Sequence, residues 1–459
     1  MQKVSKALAK VICKLLLIGF GVQIVLGLCW MVTNMGQVQQ FGETSYYLEA
    51  TKSFIENGYR GILYPVLIML AQGMEQLVRI PYHCFLYLLQ LTAGFLAAWR
   101  LLDAVGVRGK YRLCYGSFAM LTVPVAMQCH LAVLPDSLGA SFWLLEWAYA
   151  IRSFRRHEGI KTVDLIKLCG IYLLGVALLP EFFFTGALSV LVVLVHKSIK
   201  LWKRNEKRAI LRLVAIGFFF FGGVSLVAGL GEGEQRSTGS VMASRFAWSH
   251  AEEDYGHWPE EIRNYIPVEK LNSVVGYADS MDRIVTEELV ANVGKERTEE
   301  LLFSLAKVSF GRHTKENLTE ILWDVYGYGF APWVLQEQLA GNGYEAYSGR
   351  NYEIMGMHTP GLAGYYMNYG SYLFMAGVFF ATILQFFGWF EKGNRPEESG
   401  EVCKKTMSWN VTILPVIGAL VPVLYYSMQG AGMMDYKKTI GVTLLWIVWM
   451  LKCNEENEQ

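Results

Sequence analysis

Three carboxylates in this chain stand at the ends of apolar runs: Glu43 in GETSYY, Asp136 in VLPDSL and Glu181 in LLPEFFF. A carboxylate beside a membrane is costly unless it is paired or put to use. At a helix end it can accept a proton from an attacking hydroxyl as a general base. Two cations, Arg60 and Arg79, flank the apolar stretch 61–80, and either suits a phosphate or a lipid headgroup. His130 precedes Asp136 in HLAVLPDSL, placed to orient it or to bond a backbone carbonyl. Plainer roles compete. Glu43 can charge the first turn of the helix TSYYLEATKSFI, Asp136 can cap the span that follows it, and Glu146 in LLEWAYAIRSFRR can pair with a nearby arginine.

The elements that must position these residues follow from composition. Of 459 residues, 53% are hydrophobic and 18% charged, with a net charge of +1. That balance is the mark of a polytopic membrane protein and gives nucleic acid no reason to bind. Apolar runs of spanning or near-spanning length fall at 11–33, 82–101, 112–131, 137–151, 164–180, 182–197, 210–230, 371–390, 408–428 and 439–451. The expected fold is therefore an all-α polytopic membrane protein of about ten spans. The basic N-terminus with its long apolar core reads as a retained anchor, because no small-residue cleavage site follows. The eight cysteines lie in apolar or basic segments with no CxxC and no His/Cys ligand spacing, so neither a disulfide framework nor a structural zinc is supported.

Charge orients the chain. Lys and Arg cluster at 3–14, 100–112, 152–167, 197–212 and 392–405, and all five clusters share one side only if 61–80 does not cross the membrane. Gln72, Glu75, Gln76 and Arg79 recur at helical spacing, which sets one polar stripe on an otherwise apolar helix and suits a helix lying in the interface. Both termini are then cytoplasmic in a multi-pass cell-membrane protein. Residues 1–230 form an N-terminal transmembrane module whose first outer loop is 34–81. Residues 231–370 form a large extracytoplasmic region, and 371–459 carry the last spans. In the outer region, 282–310 has apolar residues at helical spacing, and 327–370 is rich in Tyr, Trp and Gly, as interface-anchored structure is. With no cysteine to staple it, the region is expected to lean on the spans. NLT at 317 is a glycosylation sequon on that side.

The order of these features resembles the GT-C superfamily of polytopic glycosyltransferases, in particular the glycosyltransferase family 39-like group that includes protein O-mannosyltransferases and aminoarabinose transferases. In that group the first loop reads D-E-x-x-Y and leads to a K/R-x-P-L-Y-P-like segment, with a second acidic turn, L-x-D-P-like, after the third span. The matching stretches here are GETSY (42–46), RGILYPVL (60–67) and VLPDSL (133–138). One position departs: Gly42 stands where the group has its first Asp, so either Glu43 takes the base role, or the loop is shifted by a residue, or the acceptor differs or activity is lost. The resemblance covers about the first 200 residues in pattern and implies a sugar moved from a polyprenyl-phosphate donor to an acceptor hydroxyl on the extracytoplasmic face. The acceptor would be a glycan, a lipid or a protein. Glu43 and Asp136 are then the candidate catalytic residues. Arg60, Arg79, Tyr46, Tyr64, His130 and Glu181 are the candidate substrate-binding residues. No cofactor is certain and no metal site is assigned, while the implied chemistry leaves room for a divalent cation at the donor phosphate, with Asp136 binding the acceptor or that cation. Two other classes fit a polytopic chain with a large outer region: a glycan polymerase or ligase using outer arginines and histidines, for which RFAWSH (245–250) is the pointer, and a lipid or glycan transporter with ionisable residues near the bilayer midplane.

Overall fold

The protein is described by a computed structural model. The structure describes residues 42–52, 61–105, 133–155, 162–180, 182–231, 238–272 and 278–330, together with 18, 21, 24, 25, 28, 423, 424 and 427. Among the described residues the ordered elements are all helices and no strand occurs. They divide into two compact units. The first comprises 1–233, 329–421 and 436–459, and the second 234–328 and 422–435.

In the first unit, α1 (Gly42–Ala50) and α2 (Leu63–Val78) precede five longer helices: α3 (Tyr82–Val105), α4 (Asp136–Arg155), α5 (Thr162–Leu178), α6 (Phe182–Lys203) and α7 (Lys207–Gly231). Three stretches are long and apolar enough to cross a membrane, Tyr82–Ala104, Phe182–Lys203 and Lys207–Val227, which marks the chain as a membrane protein. α3 packs along α4, and α5, α6 and α7 pack against one another, with α5 and α6 also on α4. Ile24 and Leu28 of the first apolar run pack on Cys84, Tyr87 and Leu91 of α3. The expected spans at 112–131, 371–390 and 439–451 lie outside the described residues.

α2 is built differently from its neighbours. Its 16 residues reach about 24 Å, short of a hydrocarbon core of about 30 Å. Pro65 fits in its first turn, where a missing N–H is not missed. Tyr64, Pro65, Ile68 and Ala71 are buried on one face, while Met69, Leu70, Met74 and Leu77 are exposed on the other, with Leu77 80% exposed. The polar stripe runs beside the buried face, so the helix offers an uncovered apolar side. It stops at Arg79, whose φ of 58° is left-handed and whose N–H bonds Glu75 O at 2.7 Å. Glu75 Oε2 in turn accepts from the Tyr82 N–H at 3.2 Å, fixing the corner into α3.

The second unit begins with α8 (Thr238–Phe246) and a 3₁₀ turn (Trp248–His250), then α9 (Ala251–Asp254) and a second 3₁₀ turn (Tyr255–His257). After these come α10 (Glu260–Tyr265), α11 (Val268–Asn272), α12 (Ala278–Val293), α13 (Lys295–Arg312) and α14 (Thr314–Phe330). α13 buries Thr298, Leu301, Leu302, Leu305, Ala306 and Ser309, one helical stripe. α8 lies against it through small residues. A Cβ on Gly239 would stand 2.5 Å from the Glu299 carbonyl oxygen, so only glycine permits this approach. Trp248, Trp258, Ile262, Leu289 and Leu302 close a core within the unit. The described part of this region thus has an apolar core of its own. The helix α12 and the break at Gly294, φ 80°, follow the spacing seen in the sequence. Asn317 of the sequon is fully buried in α14 and is not offered for glycosylation in the fold.

Candidate functional site

Four sequence-distant segments of the first unit meet at one end of its helices. Thr44, next to Glu43 in the first turn of α1, is fully buried and donates its Oγ1 to the Val133 carbonyl at 3.3 Å. That bond ties GETSY to the LPDSL turn. One turn on from Glu43, Tyr47 meets Tyr64 edge to face, with ring centroids 5.4 Å apart. Tyr64, the tyrosine of RGILYP, is fully buried and donates its hydroxyl to Gln90 Oε1 of α3 at 3.0 Å. Tyr47, Tyr64, Ile68, Val133, Leu134, Leu138 and Leu178 form one apolar cluster beneath these contacts. The fourth segment, LLPEFFF, joins through Gly61, where a Cβ would stand 2.2 Å from the Leu178 carbonyl oxygen.

Asp136 is buried at the start of α4, with 3% exposure. The first bond of that helix runs from Gly139 N to Pro135 O at 2.8 Å. Pro135 thus holds the cap position and Asp136 the first turn, where the helix dipole still favours its charge. The expected N-cap role is shifted by one residue because the chain enters the helix through the proline. Burial pushes the Tyr64 phenol well above the usual range, and the nearby Tyr47 and Asp136 push it further, so Tyr64 is a neutral hydrogen-bonding group at this end of the unit.

The other sequence candidates are placed as follows. Glu43 and Tyr46 have their backbone in α1, and their side chains are outside the described residues, as are Arg60, His130 and Glu181 altogether. Arg60 directly precedes Gly61 in sequence. Arg79 is exposed at the far end of α2, on the order of 20 Å from Tyr64 along the helix axis. The fold brings together Thr44, Gly61, Tyr64, Val133 and Leu178, described residues of GETSY, RGILYP, VLPDSL and LLPEFFF, and it does not bring Arg79 among them.

Two groups were missed or misread in sequence. Glu146 is fully buried midway along α4, and its partner is Ser189 of α6, whose Oγ donates to Oε2 at 2.8 Å. The expected arginine partner is replaced because Ser189 lies on the facing helix, 43 positions away. In the second unit Asp254 is fully buried and accepts from Ser309 Oγ at 2.6 Å, Arg312 Nε at 2.7 Å and His313 Nε2 at 3.0 Å. Burial raises the Asp254 carboxyl, but these three donors outweigh it and hold it below the usual carboxylate range. The Asp254 contact likewise raises the His313 imidazole above its ordinary value. Nothing local in the sequence announces this knot, since its partners stand 55 to 59 positions apart.

No protein-family model matches the chain, and neither a curated protein nor a solved structure does.

Proposed function

We propose that the protein is a membrane glycosyltransferase that moves a sugar from a polyprenyl-phosphate donor to an acceptor hydroxyl on the extracytoplasmic face. It is a multi-pass protein with both termini in the cytoplasm. Glu43 takes the proton of the acceptor hydroxyl, whose oxygen attacks the anomeric carbon as the phosphate departs. Asp136 positions the acceptor or a divalent cation, and Arg60 steadies the leaving phosphate as a charge-assisted donor. What supports the reading is the convergence of GETSY, RGILYP and LPDSL, carried by the Thr44 to Val133 bond. Arg79, at the distant end of α2, is assigned to lipid headgroups instead. The test is transfer of labelled sugar from a polyprenyl-phosphate donor in membranes containing the protein. Arg60→Ala is expected to raise KM for the donor more than it lowers kcat, and absence of any transfer by the wild-type chain across hexose and aminosugar donors would overturn the reading.

Transport is the second reading, and one observation favours it. Glu146 is a buried carboxylate midway along a helix of the first unit, the kind of group that lines ion or substrate paths. Transport would depend on Glu146 and be indifferent to Glu43, the reverse of the transferase. In RFAWSH, the pointer to a polymerase or ligase, Arg245 pairs with Asp324 at 2.8 Å while His250 Nε2 has no hydrogen-bond partner.

A further inference from the structure

The second unit holds two His-x-x-Glu segments, His250 to Glu253 and His313 to Glu316. Three residues is close to one turn, so each pair shares a face. The first pair spans the end of the 3₁₀ turn and α9. The second spans the break between α13 and α14. Folding brings the two pairs face to face: the imidazole rings of His250 and His313 stack with centroids 3.8 Å apart and planes 4° from parallel. One ligand atom from each of His250, Glu253 and His313 lies within 4.8 Å of the others.

His313 Nδ1 is 3.0 Å from Glu316 Oε2, and His250 Nε2 is 4.0 Å from the same oxygen. That nitrogen of His250 is buried and has no hydrogen-bond partner. Behind the ring, Asp254 holds His313 Nε2 at 3.0 Å and is itself fixed by Ser309 and Arg312. A carboxylate on the far nitrogen of an imidazole is the arrangement that sets the tautomer and raises the basicity of a metal-ligating histidine.

From this geometry we infer that His250, Glu253, His313 and Glu316 form a binding site for a divalent first-row transition metal, zinc above all, with Asp254 orienting His313. Two imidazoles and two carboxylates are the donor set of borderline cations. On binding, the ion takes the place of the proton at His313 Nδ1, and the two glutamates balance its charge. A tetrahedral zinc with bonds of about 2.0–2.1 Å needs donors roughly 3.3 Å apart. Rotation of the exposed Glu253 and Glu316 side chains, together with a turn of the His250 ring out of its stack on His313, closes that difference. The site links the first and last parts of the unit, so the metal fastens α9 to the α13–α14 junction. It stands whether or not the chain transfers sugar.

The test uses the full-length chain in detergent, stripped with a chelator and then equilibrated with Zn²⁺ or Co²⁺ and desalted. Elemental analysis should find one zinc per chain, and Co²⁺ should give the intense visible bands of a tetrahedral site. His250→Ala and His313→Ala should each abolish retention. Glu253→Gln, at an exposed position that leaves the fold intact, should weaken binding by about tenfold or more, and Asp254→Asn by about 10–100-fold. Retention of no zinc by the wild-type chain at micromolar free metal would overturn the inference. So would zinc binding that Glu253→Gln and His250→Ala leave unchanged.

Discussion

At the scale of single residues, polar groups buried by the fold set what substitution costs. Tyr64 offers its hydroxyl to Gln90 inside an apolar cluster, so Tyr64→Phe should cost about 1 kcal/mol, the usual net worth of such a bond. The pH effect has a definite sign. The folded phenol is held above its unfolded value, so its contribution is complete below the unfolded pKa of about 10 and is lost as pH rises beyond it. The alkaline fall in the stability of the wild-type chain should therefore be shallower in Tyr64→Phe, read by thermal unfolding in detergent between pH 8 and pH 11. Glu146 poses a different case. Ser189→Ala removes the one hydroxyl that donates to its buried Oε2 and should cost about 1–3 kcal/mol, whereas Glu146→Gln keeps an acceptor oxygen there and should cost less.

At the scale of elements, close approaches decide whether the candidate site assembles. Gly61 meets the last carbonyl groups of α5, and a backbone oxygen cannot swing aside as a side chain can. Gly61→Ala should destabilise the first unit by about 1–3 kcal/mol and lower transfer by misplacing α1 and α2, which a melting curve and the transfer assay read separately. The character of α2 was legible in its sequence: Gln72, Glu75, Gln76 and Arg79 gave its polar stripe, and the structure adds a short helix with one uncovered apolar side. The topology built on it predicts that cysteines placed by Arg108→Cys and Arg155→Cys in a cysteine-free chain resist an impermeant thiol reagent in intact cells. Labelling of either would reverse the sidedness of the spans. Less was legible where partners are remote. Asp136 could be read as a helix-start residue from Pro135 alone, but its neighbour Tyr64 comes from another segment. The Ser189 partner of Glu146 and the Asp254 knot arise only when separate helices pack, and no spacing within one segment encodes that.

At the scale of the whole molecule, the chain falls into two compact units. The first holds the apolar helices and the meeting point of the sequence motifs, and the second holds a helical core with the histidine and carboxylate cluster. Trp258 is among the largest fully buried side chains, and Trp258→Ala should cost about 3–5 kcal/mol and unfold the second unit first, seen as early proteolysis between residues 234 and 328. The composition made a helical membrane protein legible because hydrocarbon admits few other spanning structures. The second unit was less so: the sequence showed helical spacing at 282–310, but its tryptophans 248 and 258 reveal a shared core only in the fold, where their rings lie 5.9 Å apart. The account as a whole turns on one carboxylate in the first turn of α1. Glu43→Gln keeps the size and the helix but cannot take a proton, so turnover from a polyprenyl-phosphate sugar donor should fall by about 10²–10⁴-fold with the melting temperature unchanged. Transfer at the wild-type rate by Glu43→Gln would contradict the account.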